Sequence, residues 1–276
     1  MKALAKKAGT GVMTIKEFRQ DELKIFSHFE EEGFFAGFSI PYMHLDVLWK
    51  SFDEYLSSLR HPYRRKICLS LKKIRQRRPV IINEADYDYS QTDPSLVLAE
   101  PHEDFAGEFY GKYLAVMSRA STKMETLNLS FFKNLFRQKG NCKMLHLMAA
   151  GKILSTAVLV FTGDTLTFML SARENQKDEY DSYFNLVYGI IALAIQWGCQ
   201  KIKMGQTAYH LKQCVGAIPE EEFIFFACRR PLLHRLLKSL RHTIFPQMKL
   251  TTMNVFRTAE PVNKYKAKHE EYHYSI

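Results

Sequence analysis

Residues 201–217, KIKMGQTAYHLKQCVGA, concentrate side chains that can move a proton or hold a charge. The apolar alternation predicts a short strand over 202–204, which ends in a glycine turn and leads into a short helix over 208–214. Gln206 and Thr207 lie at the end of that strand, where an amide and a hydroxyl can hydrogen-bond a substrate. The alternative is that these two residues only begin the helix.

Two pairs of residues on this predicted helix have spacings that bring side chains together. Tyr209 and Lys212 are three residues apart and lie on neighbouring faces, and a tyrosine can protonate a leaving oxygen or sulfur. His210 and Cys214 are four residues apart, share a face, and have the residue types of a nucleophilic Cys–His pair. The alternatives are a tyrosine packed at a sheet edge, an exposed helix lysine, and a buried thiol beside a partly exposed imidazole. No third residue that would orient the histidine is identified.

The elements before this stretch change from helical to strand periodicity. Short glycine turns, AGK and TGD, separate three strand-like runs, as in an antiparallel meander. A long apolar helix over 182–197 follows and ends at Gly198, and a further strand is predicted over 221–228. The three runs are CKMLHLMA, KILSTAVLVF and TLTFMLSA. This order predicts a mixed α/β (α+β) domain with a central, mainly antiparallel sheet flanked by helices.

Helical patterns dominate the chain before the meander. Ser51 and Glu54 form a capping box at the start of the first helix, and Ser130 is the N-cap candidate of the last one. The predicted elements are a helix over 51–59, a basic helix between Pro62 and Pro79, a strand over 79–82, and helices over 103–120 and 128–140.

Positive charge is concentrated in one block of the sequence. The chain has a net charge of +10, and RHPYRRKICLSLKKIRQRR (60–78) contains no acid. Such a block favours phosphate-bearing partners such as RNA, a nucleotide-type cofactor or anionic lipid. The alternative is a solvated helix face that the acidic segment after it neutralises. The candidates for binding the phosphates of such a partner are Arg64, Arg65 and Lys66, with Tyr63 to stack on a base.

A second basic segment, RRPLLHRLLKSLRH (229–242), combines five leucines with five Lys or Arg. We interpret it as an amphipathic helix that covers the core and turns its basic edge outward. The alternative is a helix that rests on an anionic membrane or an RNA backbone.

Composition excludes several classes of protein. A hydrophobic content of 46% is typical of a folded globular chain, and five widely spaced cysteines without a CxxC indicate neither a disulfide framework nor a zinc site. The ten histidines show no ligand spacing, so no metal is predicted.

The longest apolar segment, 185–197, is shorter than the ~20 residues that a bilayer span requires, and no signal peptide is visible. We expect a cytoplasmic protein without an integral membrane segment. The oligomeric state is left open.

The run YFNLVYGIIALAIQWGCQKIKMGQTAYHLKQCVGA (183–217) resembles the C-terminal half of the acyltransferase fold of the GNAT superfamily. The resemblance is to its FemAB-like branch of peptidoglycan aminoacyltransferases and related single-chain enzymes. The shared pattern is a long helix, Gly198, a strand, Gly205, an LK pair and a closing Val215–Gly216. Upstream, SFDEYLSSLRHPYRRKI (51–67) is similar to the segment that introduces the domain in these relatives.

The resemblance covers roughly residues 45 to 230 and implies a division of the chain. We predict an N-terminal segment (1–44), one GNAT/FemAB-like acyltransferase domain (45–245) and a C-terminal tail (246–276). The tail is polar from Thr258 onward, and we expect it to be partly disordered.

The activity that the resemblance implies is transfer of an acyl or aminoacyl group from a thioester or a tRNA to an amine. Aminolysis needs a deprotonated amine, a stabilised oxyanion and a protonated leaving group. The matching lysine of the family lies near the end of the donor, which makes Lys212 the first catalytic candidate, as the group that stabilises negative charge. The other catalytic candidates are Tyr209 and Gln206. The candidate substrate contacts are Ser171 and Arg173, which leave the third meander strand, with Thr207 and His210.

One departure from the wider superfamily bears on the donor. Ordinary acetyl-CoA users place a glycine-rich loop before the long helix, whereas ARENQKDEYDSYFN (172–185) has no glycine and four acids. The sequence therefore favours aminoacyl-tRNA as the donor, with acyl-CoA or an acyl-carrier-protein thioester as alternatives. A small-molecule or peptide-like amine is the expected acceptor, and no bound cofactor is expected. The alternative of another class is a non-catalytic basic protein of the same fold that binds RNA or membrane.

Overall fold

The structure is a computed structural model that describes residues 5, 7, 9–120, 126–138, 140–174, 178–248, 250 and 252–257. Its strands are β1 (Val12–Phe18), β2 (Phe35–Phe38), β3 (Tyr42–Asp46), β4 (Ile81–Asn83), β5 (Ser95–Ala99), β6 (Cys142–Ala149), β7 (Lys152–Thr162), β8 (Thr165–Arg173), β9 (Lys201–Gly205), β10 (Ile218–Glu220) and β11 (Phe223–Cys228). Its helices are α1 (His28–Glu31), α2 (Phe52–Ser58), α3 (His61–Lys73), α4 (Ala106–Arg119), α5 (Leu129–Arg137), α6 (Ser182–Gln196), α7 (Tyr209–Cys214), α8 (Pro231–Ser239) and α9 (Arg241–Ile244).

The chain divides into two compact units, and neither is a continuous stretch of sequence. The smaller comprises Met1–Met43 and Ile218–Thr252, and the larger comprises His44–Ala217 and Met253–Ile276. The structure divides the chain after Met43, and the predicted boundary after residue 44 stays a prediction. The predicted domain and the smaller unit overlap, however, because β11 pairs with β1 and β2. The part of the predicted tail from Thr258 onward lies outside the described residues.

The main sheet has the strand order β10-β3-β9-β8-β7-β6-β5-β4. Strands β5 to β8 pair antiparallel, whereas β4 with β5 and β8 with β9 pair parallel. The three strands of the meander lie where the alternation predicts them, joined by turns that contain Gly151 and Gly163. Helices pack against this sheet, so the prediction of a mixed α/β fold with a mainly antiparallel central sheet is confirmed.

Helix α6 lies against one face of the main sheet. A Cβ at Gly189 would lie 2.8 Å from Leu145 Cδ2, so the glycine lets helix and sheet approach closely. The helices α4 and α5 pack together through an aromatic cluster in which the rings of Phe109 and Phe132 are 5.2 Å apart. These apolar contacts hold α6 against the sheet and α4 against α5.

The helix caps follow the sequence prediction in one case and depart from it in another. Ser51 Oγ accepts a hydrogen bond from Glu54 N at 3.1 Å, as a capping box requires, although the Glu54 carboxylate accepts from Lys50 N. At α5, Asn128 Oδ1 accepts from Phe131 N at 2.9 Å. Ser130 therefore lies inside the first turn, and the prediction that it caps this helix is wrong.

Asn128→Ala is expected to lower the free energy of unfolding by about 1 kcal/mol, because the Phe131 N–H loses its acceptor. Urea denaturation measures the change. Ser130→Ala is the matched control, and it is expected to change stability by only a few tenths of a kcal/mol, at most about 0.5. Equal losses in the two variants would contradict the assignment of the cap.

A segment near the C-terminus is part of the larger unit. Val255 and Phe256 are buried, and Arg60 Nε donates to Phe256 O at 3.0 Å. A Cβ at Gly216 would lie only 2.2 Å from Phe256 Cζ, and Gly216 has a φ of +93°. The sequence analysis assigned this segment to the tail because two apolar residues among polar ones give no periodic signal.

The smaller unit contains the sheet β1-β11-β2, of which the sequence analysis predicted only β11. Its core is aromatic, with Phe18 and Phe29 each packed edge-on against Phe225. Helix α8 buries none of its residues fully, and Leu232 is 80% exposed. The interpretation of 229–242 as a helix that covers the core with its leucines is therefore wrong. None of the helices in the described ranges is both long and apolar enough to cross a bilayer.

Candidate active site

Strands β8 and β9 part near the middle of β8. They pair in parallel only from Thr165 opposite Lys201 to Thr167 opposite Lys203, whereas β8 pairs with β7 from Thr165 to Arg173. A Cβ placed on Gly205 would lie 3.7 Å from Lys212 Nζ and 4.0 Å from Phe168 O. The ammonium group of Lys212 therefore lies where the two strands separate.

Lys212 is one of the few buried charged residues in the described part of the chain. Lys212 lies in α7, the short helix that follows β9, and only 2% of the residue is exposed. Burial lowers the pKa of Lys212 to about 7 through desolvation. The alternative of an exposed helix lysine is wrong. A cation held at the parting of two strands can stabilise a developing negative charge, but its catalytic role stays a prediction.

The other residues predicted around Lys212 differ in their exposure. Tyr209 begins α7 and is half-buried, and burial raises the pKa of its phenol to about 12. A phenol with this pKa stays protonated at neutral pH and can donate a proton or hydrogen bond. Gln206 is half-buried, whereas Thr207 and His210 are exposed.

His210 and Cys214 are in contact, with Nε2 3.6 Å from Sγ. Burial raises the pKa of the Cys214 thiol, and the smaller influence of Lys66 lowers it, so the thiolate is disfavoured. In the described ranges no carboxylate hydrogen-bonds the ring of His210. The pair therefore lacks both the ionised sulfur and the orienting group of a nucleophilic site. Nor does any cluster of three His, Cys, Asp or Glu among the described residues suit a metal ion.

The N-terminus of α6 is capped by a carboxylate of the chain itself. Ser182 donates to Asp178 from its backbone N at 2.8 Å and from its Oγ at 2.7 Å. Arg173 Nη1 lies 3.9 Å from the same carboxylate. Since helix N-terminal N–H groups are where a phosphate would bind, the aspartate already occupies part of that position.

Ser171 and Arg173 lie on the part of β8 beyond its pairing with β9. Arg173 pairs across the ladder with Ser155, and Ser171 with Ala157. Ser155 is fully buried, and its Oγ has no hydrogen-bond partner among the described residues. The sequence analysis missed Ser155, because a serine in a strand carries no signal of burial.

The basic helix α3 lies beside α6 and α7. Lys73 Nζ forms an ion pair with Asp181 at 2.7 Å, and the charge of Lys66 acts on Cys214. Ion pairs of the basic block involve Lys73, Arg75 and Arg78, whereas none described here involves the phosphate-binding candidates. Of those candidates, Tyr63 and Arg64 are half-buried, and Arg65 and Lys66 are exposed. Only Lys66 is brought towards α7.

Asn185 joins α3 to the start of α6. Its Nδ2 donates to Ser70 O at 3.1 Å and to Tyr180 O at 2.6 Å, and its Oδ1 has no partner in the described part of the chain. The sequence analysis did not identify it. A signal was present, because Ser182, Asn185 and Tyr188 recur every third residue in an otherwise apolar helix.

Solved structures share this fold. FemX superposes with a TM-score of 0.56 at 14% identity, covering 86% of this chain and 77% of FemX. L-PGS from Bacillus licheniformis has a TM-score of 0.52 at 12% identity, covering 87% and 76%. The C-terminal DUF2156 domain of a protein described as a lysylphosphatidylglycerol synthetase, from Agrobacterium fabrum, has a TM-score of 0.51 at 12% identity, covering 91% and 78%.

No protein-family model and no curated protein sequence matches this chain. At these identities the structural likeness shows the fold. The FemAB-like fold that the sequence pattern indicates is thereby confirmed.

Proposed function

We propose that this protein transfers an acyl or aminoacyl group to the amine of a small-molecule or peptide-like acceptor. The observation that carries the proposal is the buried Lys212, whose Nζ lies beside Gly205 where β8 and β9 part. Burial of a cation costs free energy, so a lysine buried at such a position is a candidate for a group that a reaction uses. The names of the structures with this fold, FemX and lysylphosphatidylglycerol synthetase, support the same class of reaction.

The proposed reaction is aminolysis of an activated carbonyl. The acceptor nitrogen attacks the carbonyl carbon, and the Lys212 ammonium stabilises the oxyanion of the tetrahedral intermediate. The phenol of Tyr209 protonates the departing oxygen or sulfur, and the resulting phenolate takes up the proton that the attacking nitrogen releases. Gln206 hydrogen-bonds the substrate. Acceptor contacts fall to Ser171 and Arg173 on β8, and to the exposed Thr207 and His210.

Aminoacyl-tRNA is the donor that we favour. The carboxylate of Asp178 at the start of α6 disfavours the pyrophosphate of CoA by charge and by occupying an N–H group. The exposed or half-buried side chains of α3 suit a nucleic acid phosphate backbone, with Arg64, Arg65 and Lys66 as cations and Tyr63 as a stacking group. Acyl-CoA and acyl-carrier-protein thioesters are the competing donors.

The experiment presents charged tRNAs, acyl-CoAs and acyl carrier proteins in parallel with mixed amine acceptors, and measures loss of the activated ester. Consumption of aminoacyl-tRNA is expected. Arg64→Gln with Arg65→Gln is expected to raise the KM for tRNA and reduce its salt dependence, because two phosphate contacts are lost. Lys133→Gln, at an exposed position on α5 outside the basic block, is the control. If no donor is consumed while RNA binds tightly, the protein is a non-catalytic binder and the proposal fails.

A further inference from the structure

Helices α8 and α9 present a strip of apolar side chains to solvent. Leu232, Leu236 and Leu240 follow one another at every fourth residue and are 80%, 55% and 44% exposed. Residues four apart lie on one face of a helix, so the three side chains are contiguous. Leu233 and Ile244 extend the same strip, which we call the leucine strip.

The leucine strip is not a core face that has lost its cover. The opposite side of α8 is anchored to the small sheet, where His234 Nδ1 accepts from Cys228 N at 3.3 Å and its ring lies 5.4 Å from that of Phe35. After α9, Phe245 packs so closely on β2 that a Cβ at Gly37 would lie 2.9 Å from it. These contacts hold the two helices in place with the leucines outward.

Positive charges accompany the leucine strip in the sequence. Arg229, Arg230, Arg235 and Lys238 are exposed and Arg241 is half-buried, and the sequence contains no Asp or Glu from residue 223 to residue 259. The cations are therefore not neutralised by nearby residues along the chain. Exposed leucines beside Lys and Arg are the composition of helices that lie in the headgroup region of a membrane.

We propose that the leucine strip and its flanking cations bind the surface of an anionic lipid bilayer. Leucines would enter the acyl boundary while the exposed Arg235 meets lipid phosphates. RNA fits less well, because single-stranded RNA is held by aromatic stacking and the exposed strip is aliphatic. A second copy fits less well, because a two-fold interface would bring two acid-free basic patches together. The inference is independent of the transfer reaction.

The test measures co-sedimentation of the full chain with phosphatidylcholine vesicles that contain or lack phosphatidylglycerol. We expect binding only with phosphatidylglycerol, weakened by salt. Arg235→Gln is expected to reduce the partition coefficient about fivefold, because one positive charge is removed beside the leucines. Leu232→Ser with Leu236→Ser is expected to reduce it about tenfold or more, because less apolar surface is buried.

Ile25→Ser is the matched control, since Ile25 lies in the same unit and is 71% exposed outside the strip. It is expected to bind vesicles like the unaltered protein. Cooperative thermal unfolding of every variant confirms that the folded protein is being compared. Full vesicle binding by the leucine variant would overturn the proposal, as would failure of the unaltered protein to bind. A dimer in solution that the leucine variant converts to a monomer would also overturn it, because the strip would then be a subunit interface.

Discussion

Replacing Lys212 by methionine is expected to raise the free energy of unfolding and to abolish transfer in the same variant. The side chains are similar in length, and methionine carries no charge to desolvate. The pKa of Lys212 is about 7 in the folded protein against an ordinary 10.5. By linkage, a buried ammonium with this shift destabilises the folded state by about 3–5 kcal/mol below pH 7.

The pH dependence follows from the direction of that shift. Below pH 7 both states hold the proton of Lys212, so the folded state carries the full cost of the buried charge. Between pH 7 and 10.5 the unfolded chain binds more protons than the folded one, and stability rises with pH. The phenols of Tyr183 and Tyr209, each with a pKa that desolvation raises to about 12, act in the opposite direction at the alkaline end. The difference between the parent protein and Lys212→Met isolates the lysine.

Denaturant unfolding at about pH 6, 7 and 9, which lie on both sides of the shifted pKa, measures this difference. The stabilisation by Lys212→Met is expected to be largest at the lowest pH and to shrink as pH rises. Lys133→Met, at an exposed position on α5, is the control and is expected to change stability by less than about 0.5 kcal/mol. A Lys212→Met variant that is less stable at acidic pH would contradict the buried ammonium.

Transfer by Lys212→Met is expected to fall by about 10²-fold or more, since the oxyanion loses its cation. If Lys212→Met is stabilised yet transfers at the parent rate, the result would support the burial of the Lys212 charge and contradict its catalytic role. The two readouts therefore separate the structural claim from the chemical one.

Gly216→Ala is expected to destabilise the larger unit by about 3 kcal/mol or more. Two causes add. The residue has a φ of +93°, a conformation that side chains rarely adopt, and its new Cβ would lie 2.2 Å from Phe256 Cζ. The Phe256 ring cannot easily withdraw, because Arg60 binds its carbonyl and its ring packs against Trp49 at 5.4 Å. Thermal or urea unfolding measures the loss.

Gly111→Ala is the matched control for Gly216→Ala. Gly111 lies within α4, an added Cβ there would meet nothing within 4 Å, and its φ is not positive. The same substitution should therefore stabilise by about 0.5–1 kcal/mol through helix propensity. Phe256→Leu added to Gly216→Ala is expected to recover part of the loss, since the ring atoms that clash are removed. No recovery would show that backbone strain alone accounts for the effect.

The sequence predicted those parts of the fold that local periodicity determines. The meander and α6 lie within a residue or two of their predicted bounds, because alternation and an uninterrupted apolar run are local signals. β1 and β2 were missed, because both depend on pairing with β11, far along the chain. The leucines of α8 show a related limit, since amphipathicity identifies an apolar face without saying what covers it.

The candidate site was predictable in its location and less so in its details. The glycine turn and the Tyr209 to Cys214 helix form as expected. The burial of Lys212 was not visible in its spacing, because it depends on β8 and β9 parting beside it. The cap of α6 by Asp178 precedes the helix by four residues, outside the usual capping pattern, and so escaped detection.

The interleaving of the two units along the chain dictates an order of assembly. β1 and β2 remain without their central strand until Phe223–Cys228 has been synthesised, and the larger unit lacks the Phe256 ring until later still. Such distant partners make folding slow and leave nascent strand edges open to other chains. A cut after residue 217 would divide both units, whereas a cut after residue 252 would leave the smaller unit whole and remove residues 253–276 from the larger one.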